Sequence, residues 1–397
     1  MVEPNVLFVS YEFGSQISGG VARVIDGLNL SLVGKVKFDI FVFRWSTEID
    51  TFSGDLYRNG ADVRSYDRPY IETIRNLIKL NNYNIVHILH AGEHTYEIVK
   101  CLREEATAVE IVFSLHSIMK HDQFIRRASD RDLFHEDFLL KNSDHIHLLS
   151  ETAQQWVKAA YPECCPNRNF YIIPNAIHCP SYRKNILSQV GTRTVLCISR
   201  WSHGKGLEYL LDAIPYVLDV LPDVHFILAG RKERSWENDV GTYVKKIDEK
   251  IGYIRDKVDV LGWVNDAQRA TLFGRADVVV MPSVVEYFPY AILEPAAEGV
   301  PIVSTRIAGV QEILEDGADC LMYEPTDVRQ LAENIVTLLC NLELADRLAA
   351  NAYKRVSTKY TWEKISSMYQ DLYKRVLSAD PAIQSANVKF HPCPCEF

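Results

Sequence analysis

Short apolar runs recur along the chain at intervals that leave room for a helix between most of them. Val6-Leu7-Phe8-Val9-Ser10 leads into polar and glycine-rich residues, after which Val21, Val24, Ile25 and Leu28 fall at helical spacing. That pattern predicts strand, glycine loop and helix. Phe38-Asp39-Ile40-Phe41-Val42-Phe43, Ile85-Val86-His87-Ile88-Leu89 and Ile111-Val112-Phe113-Ser114-Leu115 repeat the short β-rich pattern. Such alternation predicts a parallel sheet with helices on both faces. A second series begins after Pro180 with Thr194–Ile198, His225–Ala229, Val258–Leu261, Val278–Met281 and Pro301–Ser304. The fold class is therefore α/β, with two units in tandem.

The boundary is expected in Ala176–Gly191, a polar stretch without an apolar period, giving an N-terminal unit over 1–183 and a C-terminal unit over 190–364. Trp362, Ile365, Met368, Tyr369, Leu372, Tyr373 and Val376 are spaced close to the helical repeat. They predict a last helix, about 365–380, that could pack back on the first unit, followed by a flexible tail over 381–397. No repeat with a solenoid period is present.

At 397 residues the chain exceeds the size at which one hydrophobic core stops growing. Its 52 Asp and Glu against 43 Lys and Arg exclude a broad nucleic-acid surface, which needs clustered positive charge. The apolar runs are too short to span a bilayer and the N-terminus lacks a signal core, so the expectation is a cytoplasmic protein. Lys120, Arg126, Arg127 and Arg131 among Phe124, Ile125, Leu133 and Phe134 leave contact with the inner face of a membrane open, although Asp122, Asp130 and Asp132 favour a solvated helix face. Nine cysteines are scattered without C-x-x-C spacing, which predicts buried thiols and no metal site. Cys393 and Cys395 fall in the terminal tail.

Candidate chemistry gathers where strands end. Pro282 to Glu294 follows the Val278 strand and runs into a helix, the position at which open α/β sheets bind ligands. First-turn amides suit a diphosphate, and Pro295 is expected near that turn because deeper in a helix it removes a hydrogen bond. Glu286 and Glu294 can each accept hydroxyls of a sugar or ribose. After the Val195 strand, Arg200 can fork onto phosphate oxygens and Lys205 adds a compact charge, enough to neutralise much of a diphosphate without a metal.

These two segments, E-x7-E over Glu286–Glu294 and Ile198-Ser199-Arg200-Trp201-Ser202-His203-Gly204-Lys205-Gly206, resemble the retaining glycosyltransferases of family 4, glycosyl transferases group 1. The resemblance spans roughly residues 5 to 375 and is dense in the second half. It implies a GT-B fold, two Rossmann-like domains whose sheets face an interdomain cleft that closes on the donor, with acceptor binding in the first and donor binding in the second. It implies a hexosyltransferase using a UDP- or GDP-sugar as donor, with no further cofactor and a sugar, lipid-linked or small-molecule acceptor.

Glu286 is implied to hold the donor sugar, Glu294 the ribose, and Arg200 and Lys205 the diphosphate. Ala291, Ile292 and Leu293 lie in the intervening helical turn. Gly19 and Gly20 match the glycine turn facing the donor phosphates, and His116 a position near the donor sugar. Gly230 and Val264, in Gly262-Trp263-Val264, lie around the expected nucleotide pocket, as does Ala308–Glu312. Asn175 matches the segment entering the hinge, with a turn role equally open. The chain departs from the family at Pro289, where glycine is usual and where proline offers no N–H.

The mechanism so implied is stabilisation of the leaving diphosphate by Arg200, Lys205 and helix N-termini. Two alternatives remain at this level. The same architecture hosts sugar-nucleotide epimerases and phosphorylases, and the altered Glu286–Glu294 loop would also suit a non-catalytic nucleotide-sugar-binding protein.

Overall fold

Strand and helix alternate through residues 2–13, 19–45, 56–58, 69–126, 128–165, 168–181, 193–232 and 240–378, which the computed structural model describes. They group into two units. Unit 1 draws on Met1–Gln123, Ala128–Pro174 and Trp362–Phe397, and unit 2 on Phe124–Arg127 and Asn175–Thr361. The division falls at Pro174/Asn175, just ahead of the expected polar stretch, because the chain is already hydrogen bonded into unit 2 at Asn175 and Ile177. Residues 182–192 and the expected tail lie outside the described residues.

Unit 1 holds seven parallel strands: β1 (Asn5–Phe13), β2 (Lys37–Trp45), β3 (Leu56–Arg58), β4 (Ile85–Ile88), β5 (Glu110–Leu115), β6 (His145–Leu148) and β7 (Asn169–Ile172). Their order is β3-β2-β1-β4-β5-β6-β7. Unit 2 holds β8 (Thr194–Ile198), β9 (His225–Ala229), β10 (Val258–Gly262), β11 (Val278–Met281), β12 (Ile302–Thr305) and β13 (Leu321–Tyr323), in the order β10-β9-β8-β11-β12-β13. In both sheets the order reverses beside the first strand, between β1 and β4 and between β8 and β11, and that reversal opens a crevice at the carboxyl edge. The sequence pattern shows nine of these strands and passes over β3, β6, β7 and β13.

The last helix, Trp362–Ser378, belongs to unit 1. Its buried stripe is Trp362, Ile365, Ser366, Tyr369, Leu372, Tyr373 and Val376. Met368, expected on that stripe, is exposed instead. At 3.6 residues per turn it lies about 100° from the stripe's centre. Gly27 is what lets this helix dock on Gly20–Ser31, since a Cβ there would stand 1.8 Å from the Trp362 ring. Lys35 Nζ reaches Ser366 Oγ at 3.3 Å on the same interface.

The core of unit 1 contains a buried polar chain. His147 Nε2 lies 2.8 Å from the Ile173 carbonyl, His147 Nδ1 2.6 Å from Ser114 Oγ, Ser114 Oγ 2.6 Å from His87 Nε2, and His87 Nδ1 2.8 Å from the Tyr373 hydroxyl. A carbonyl only accepts, so His147 Nε2 donates and its Nδ1 accepts from Ser114. Ser114 then accepts from His87 Nε2, and His87 Nδ1 accepts from Tyr373. One acceptor at the end of β7 thus fixes every proton along the row. Burial keeps both imidazoles neutral, pushing His147 down to about 4 and His87 well below its ordinary value.

No disulfide joins the seven described cysteines. The expectation that the thiols are buried holds for Cys164, Cys197 and Cys320, whereas Cys340 is exposed on the helix Val328–Cys340. Among the described residues no helix is long and apolar enough to cross a membrane.

Candidate active site

In unit 2 the loop after β8 and the loop after β11 are stitched together at the sheet's carboxyl edge. The Val284 amide donates to the Gly204 carbonyl at 2.9 Å, and the Lys205 amide to Ser202 O at 3.2 Å. Trp201, wholly buried, anchors the first loop, with its amide on Arg231 O at 3.0 Å and Lys232 Nζ 4.6 Å over its ring. Gly206 begins the helix Leu207–Val220 at φ +67°, and a Cβ there would lie 1.9 Å from the Pro282 carbonyl oxygen. Only glycine permits both the left-handed backbone and so close an approach.

This stitching joins Lys205 and Glu286, 81 residues apart in sequence, in an ion pair of 2.6 Å. The pair is mostly withdrawn from water, with 16% and 12% of the side chains exposed. A lone carboxylate beside a diphosphate would repel it, and pairing with Lys205 cancels that charge. Lys205 carries three N–H donors, so it has the capacity to hold Glu286 and a phosphate oxygen together. Arg200 stands exposed at the end of β8. Gly309, in the short helix Ala308–Gln311, lets that helix approach the Glu286 backbone, since a Cβ there would lie 2.1 Å from Glu286 O.

Glu294 lies on the helix Tyr290–Ala297, capped by Pro289. Pro289 accepts through its carbonyl from the amides of Ile292 and Leu293 at 3.1 and 3.2 Å, so the missing proline N–H does not disturb the cap. Ile292 and Leu293 are fully buried, and their amides are committed to that cap. Ala291 is half-buried, and its second-position amide lies ahead of any intrahelical acceptor. Pro295, expected near the first turn, is the sixth residue of this eight-residue helix. Without its N–H the ladder bond to Ala291 O is absent, and the helix ends two residues later.

Arg269 is the partner that sequence reasoning missed. From the helix Asp266–Arg275 its Nε lies 3.3 Å from Glu294 Oε2, both side chains being about 10% exposed, while its guanidinium also pairs with Asp266. The helix start was legible as a capping box, Asn265 with Gln268. The signal was an arginine just beyond a first turn that favours acids, a placement that calls for a fixed carboxylate. Asn175 also proves more than a turn residue, since its Nδ2 donates to Phe288 O at 2.8 Å and ties the start of unit 2 to the Glu286 loop.

Gly230, at φ +147°, closes the edge between β8 and β9, where a Cβ would stand 1.7 Å from Ser199 O. Its amide donates to Gly262 O at 2.6 Å. Val264 follows in the buried core below this edge.

In unit 1, Gly19 caps the helix Gly20–Ser31 without a side-chain hydrogen bond, in extended conformation. His116 follows β5, half-buried, and its Nε2 has no partner among the described residues. Burial, with repulsion from His147 and His90, lowers it to about 3 and keeps it neutral. Of the basic segment near the Met119–Arg126 helix, Lys120 lies 4.5 Å over the Tyr161 ring and Arg131 pairs with Glu93. The Arg126 side chain and Arg127 lie outside the described residues.

Two family models match the chain, glycosyltransferase family 4 over residues 18–179 and glycosyl transferases group 1 over 192–341. A glycosyltransferase of Methanocaldococcus jannaschii is 30% identical over 194 residues, 49% of this chain and 48% of that protein, so the chain spans about half of that relative's length. The 2-deoxystreptamine N-acetyl-D-glucosaminyltransferase of Niallia circulans is 23% identical over 372 residues, covering 89% and 90% of the two chains. Among solved structures, Anabaena HepE in complex with UDP and glucose is similar at a TM-score of 0.73 and 18% identity, over 94% of this chain and all of that one, which shows the two-domain α/β GT-B fold. Both halves of the chain match and the fold agrees, and the chain belongs to the group 1 glycosyltransferases.

Proposed function

We propose that this protein moves a sugar, with retention of configuration, from a nucleoside diphosphate sugar to a hydroxyl of an acceptor. The observation that carries the reading is the Lys205–Glu286 pair, held at the crevice edge by the Gly204–Val284 bond. It supplies a cation for the diphosphate and a charge-compensated carboxylate for sugar hydroxyls. Glu294, oriented by Arg269, takes the ribose. Arg200 and Lys205 stabilise the charge that develops as the bond from the anomeric carbon to phosphate oxygen breaks, while the acceptor oxygen bonds to that carbon and its proton passes to the departing phosphate oxygen. Two cationic side chains, Lys205 held by Glu286 and Arg200 exposed beside it, serve this role without a metal. The UDP carried by HepE supports a nucleotide donor, and the Niallia enzyme's name supports a small hydroxylated acceptor.

The test is a thermal-shift screen of UDP, GDP and ADP, followed by donor hydrolysis and transfer with the matching nucleotide sugars. A shift for one nucleotide that Lys205→Ala loses is the expected result. Full transfer activity in Lys205→Ala or Glu286→Ala would refute the assignment.

A further inference from the structure

The carboxyl edge of the unit 1 sheet carries a polar arrangement that the donor chemistry leaves unused. His90 follows β4, and the amide of Tyr11, in β1, donates to its Nδ1 at 3.1 Å. An amide cannot accept, so Nδ1 carries no proton and the neutral ring holds its proton on Nε2. No described residue accepts from that Nε2–H. The ring is held in place by Tyr11 and Phe43, edge-on at 5.7 and 6.3 Å. His94, stacked on Phe43 at 4.8 Å, extends the aromatic wall, with its Nδ1 3.4 Å from the Tyr70 hydroxyl.

Its place in the topology gives this fixed donor a meaning. β1 and β4 are the neighbours between which the strand order reverses, so the Tyr11–His90 bond straddles the switch point of the sheet. His116 ends the adjacent strand, close enough that charge on one ring disfavours charge on the other. Burial lowers His90 to about 3, with His94 adding to the effect. Two neutral imidazoles therefore follow neighbouring strands at the carboxyl edge of the sheet, His90 with its proton fixed on Nε2 and His116 with a buried Nε2 that has no partner among the described residues. A hydroxyl accepts from the His90 Nε2–H and still has a proton of its own to donate. A phosphate binds most strongly where positive charge is fixed, and these neutral rings offer none.

We propose that His90 is an acceptor-binding residue, donating from Nε2 to a hydroxyl of an uncharged polyol ring, a sugar or a cyclitol, beside His116. The proposal rests on the glycosyl-transfer reading and adds to it the acceptor's chemical class and a residue that selects for it.

The experiment uses the full chain and the nucleotide sugar chosen by the thermal-shift screen. Acceptors are glucose, mannose and myo-inositol, each beside its monophosphate. The expected result is transfer to at least one neutral polyol, with the acceptor KM raised about tenfold or more in His90→Phe, the scale of one lost hydrogen bond to a buried donor. His90→Gln, which keeps an N–H, should stay within about threefold of wild type. Donor hydrolysis without acceptor and nucleotide binding should be unchanged in both variants. Transfer only to phosphorylated acceptors, donor hydrolysis with no transfer to a neutral polyol, or equal KM values in the two variants would overturn the proposal. Absence of both nucleotide binding and donor hydrolysis in the wild type would instead overturn the transfer reading on which it rests.

Discussion

Mild acid should loosen unit 1 through its buried histidines. His90 and His116 are lowered from 6.5 to about 3 and His147 to about 4, in each case first by burial. In the unfolded chain these rings take up protons as the pH falls through about 6.5, while the folded rings do not until far lower. The unfolded state thus binds more protons, and stability present above the unfolded value is lost as the pH falls towards the folded one. From about pH 7 to about pH 5 each ring costs about 2 kcal/mol. Glu136 acts in the opposite sense. Burial raises it from 4.5 to about 7 despite bonds from the Met119 amide at 2.8 Å and the Tyr161 hydroxyl. The folded carboxyl takes its proton first, returning about 2 kcal/mol over the same interval. These three rings and Glu136 together give a net loss of about 4 kcal/mol, or about three orders of magnitude in the opening equilibrium, and His87, lowered well below its ordinary value by burial, adds to it in the same sense. Hydrogen exchange read by mass spectrometry on β4–β6, corrected for the intrinsic rate, measures it, with β8–β12 as internal reference. Glu136→Gln removes the offset and should steepen the loss. Unchanged protection of β4–β6 between the two pH values would refute the reasoning.

Lys205→Ala should leave Glu286 without its counter-charge and cut transfer by at least about a hundredfold, the scale of one transition-state donor, measured as kcat/KM. Gly230→Ala drives a Cβ onto Ser199 O and should destabilise unit 2 by about 2 kcal/mol or more, read as a fall in the urea midpoint. Arg269→Met should raise the donor KM with little change in kcat, because it loosens the Glu294 orientation without touching the diphosphate. Transfer should survive chelation by EDTA, since the two cations are side chains; loss that a divalent ion restores would correct that reading.

The candidate donor residues were legible because the chemistry proposed for them is written in residue types at strand ends. Glu286, Lys205 and Arg200 could be singled out with no knowledge of which loops meet. Their contacts were not legible, because the Lys205–Glu286 pair depends on the Gly204–Val284 bond and on three close backbone approaches at Gly206, Gly230 and Gly309. Arg269 escaped notice because its carboxylate lies on another helix. The strands passed over were those whose pattern is atypical. β6 reads His-Ile-His-Leu, an alternation that suggests an exposed face, yet both histidines are buried. β3 and β13 are three residues long, too short for a period to show.

The row from Ile173 to Tyr373 bears on a weakness that parallel sheets share. β4, β5 and β6 are buried on both faces, so sliding one of them by a residue exchanges one set of apolar side chains for another at little cost in burial. His87, Ser114 and His147 remove that degeneracy. A slip of one residue carries the polar group to the opposite face, strands its neighbours' nitrogens and hydroxyls without partners in the core, and leaves the Ile173 carbonyl unanswered. The hydrogen-bonded row therefore works as a spelling check on strand alignment. It tells the folding chain which of several equally greasy pairings is the native one.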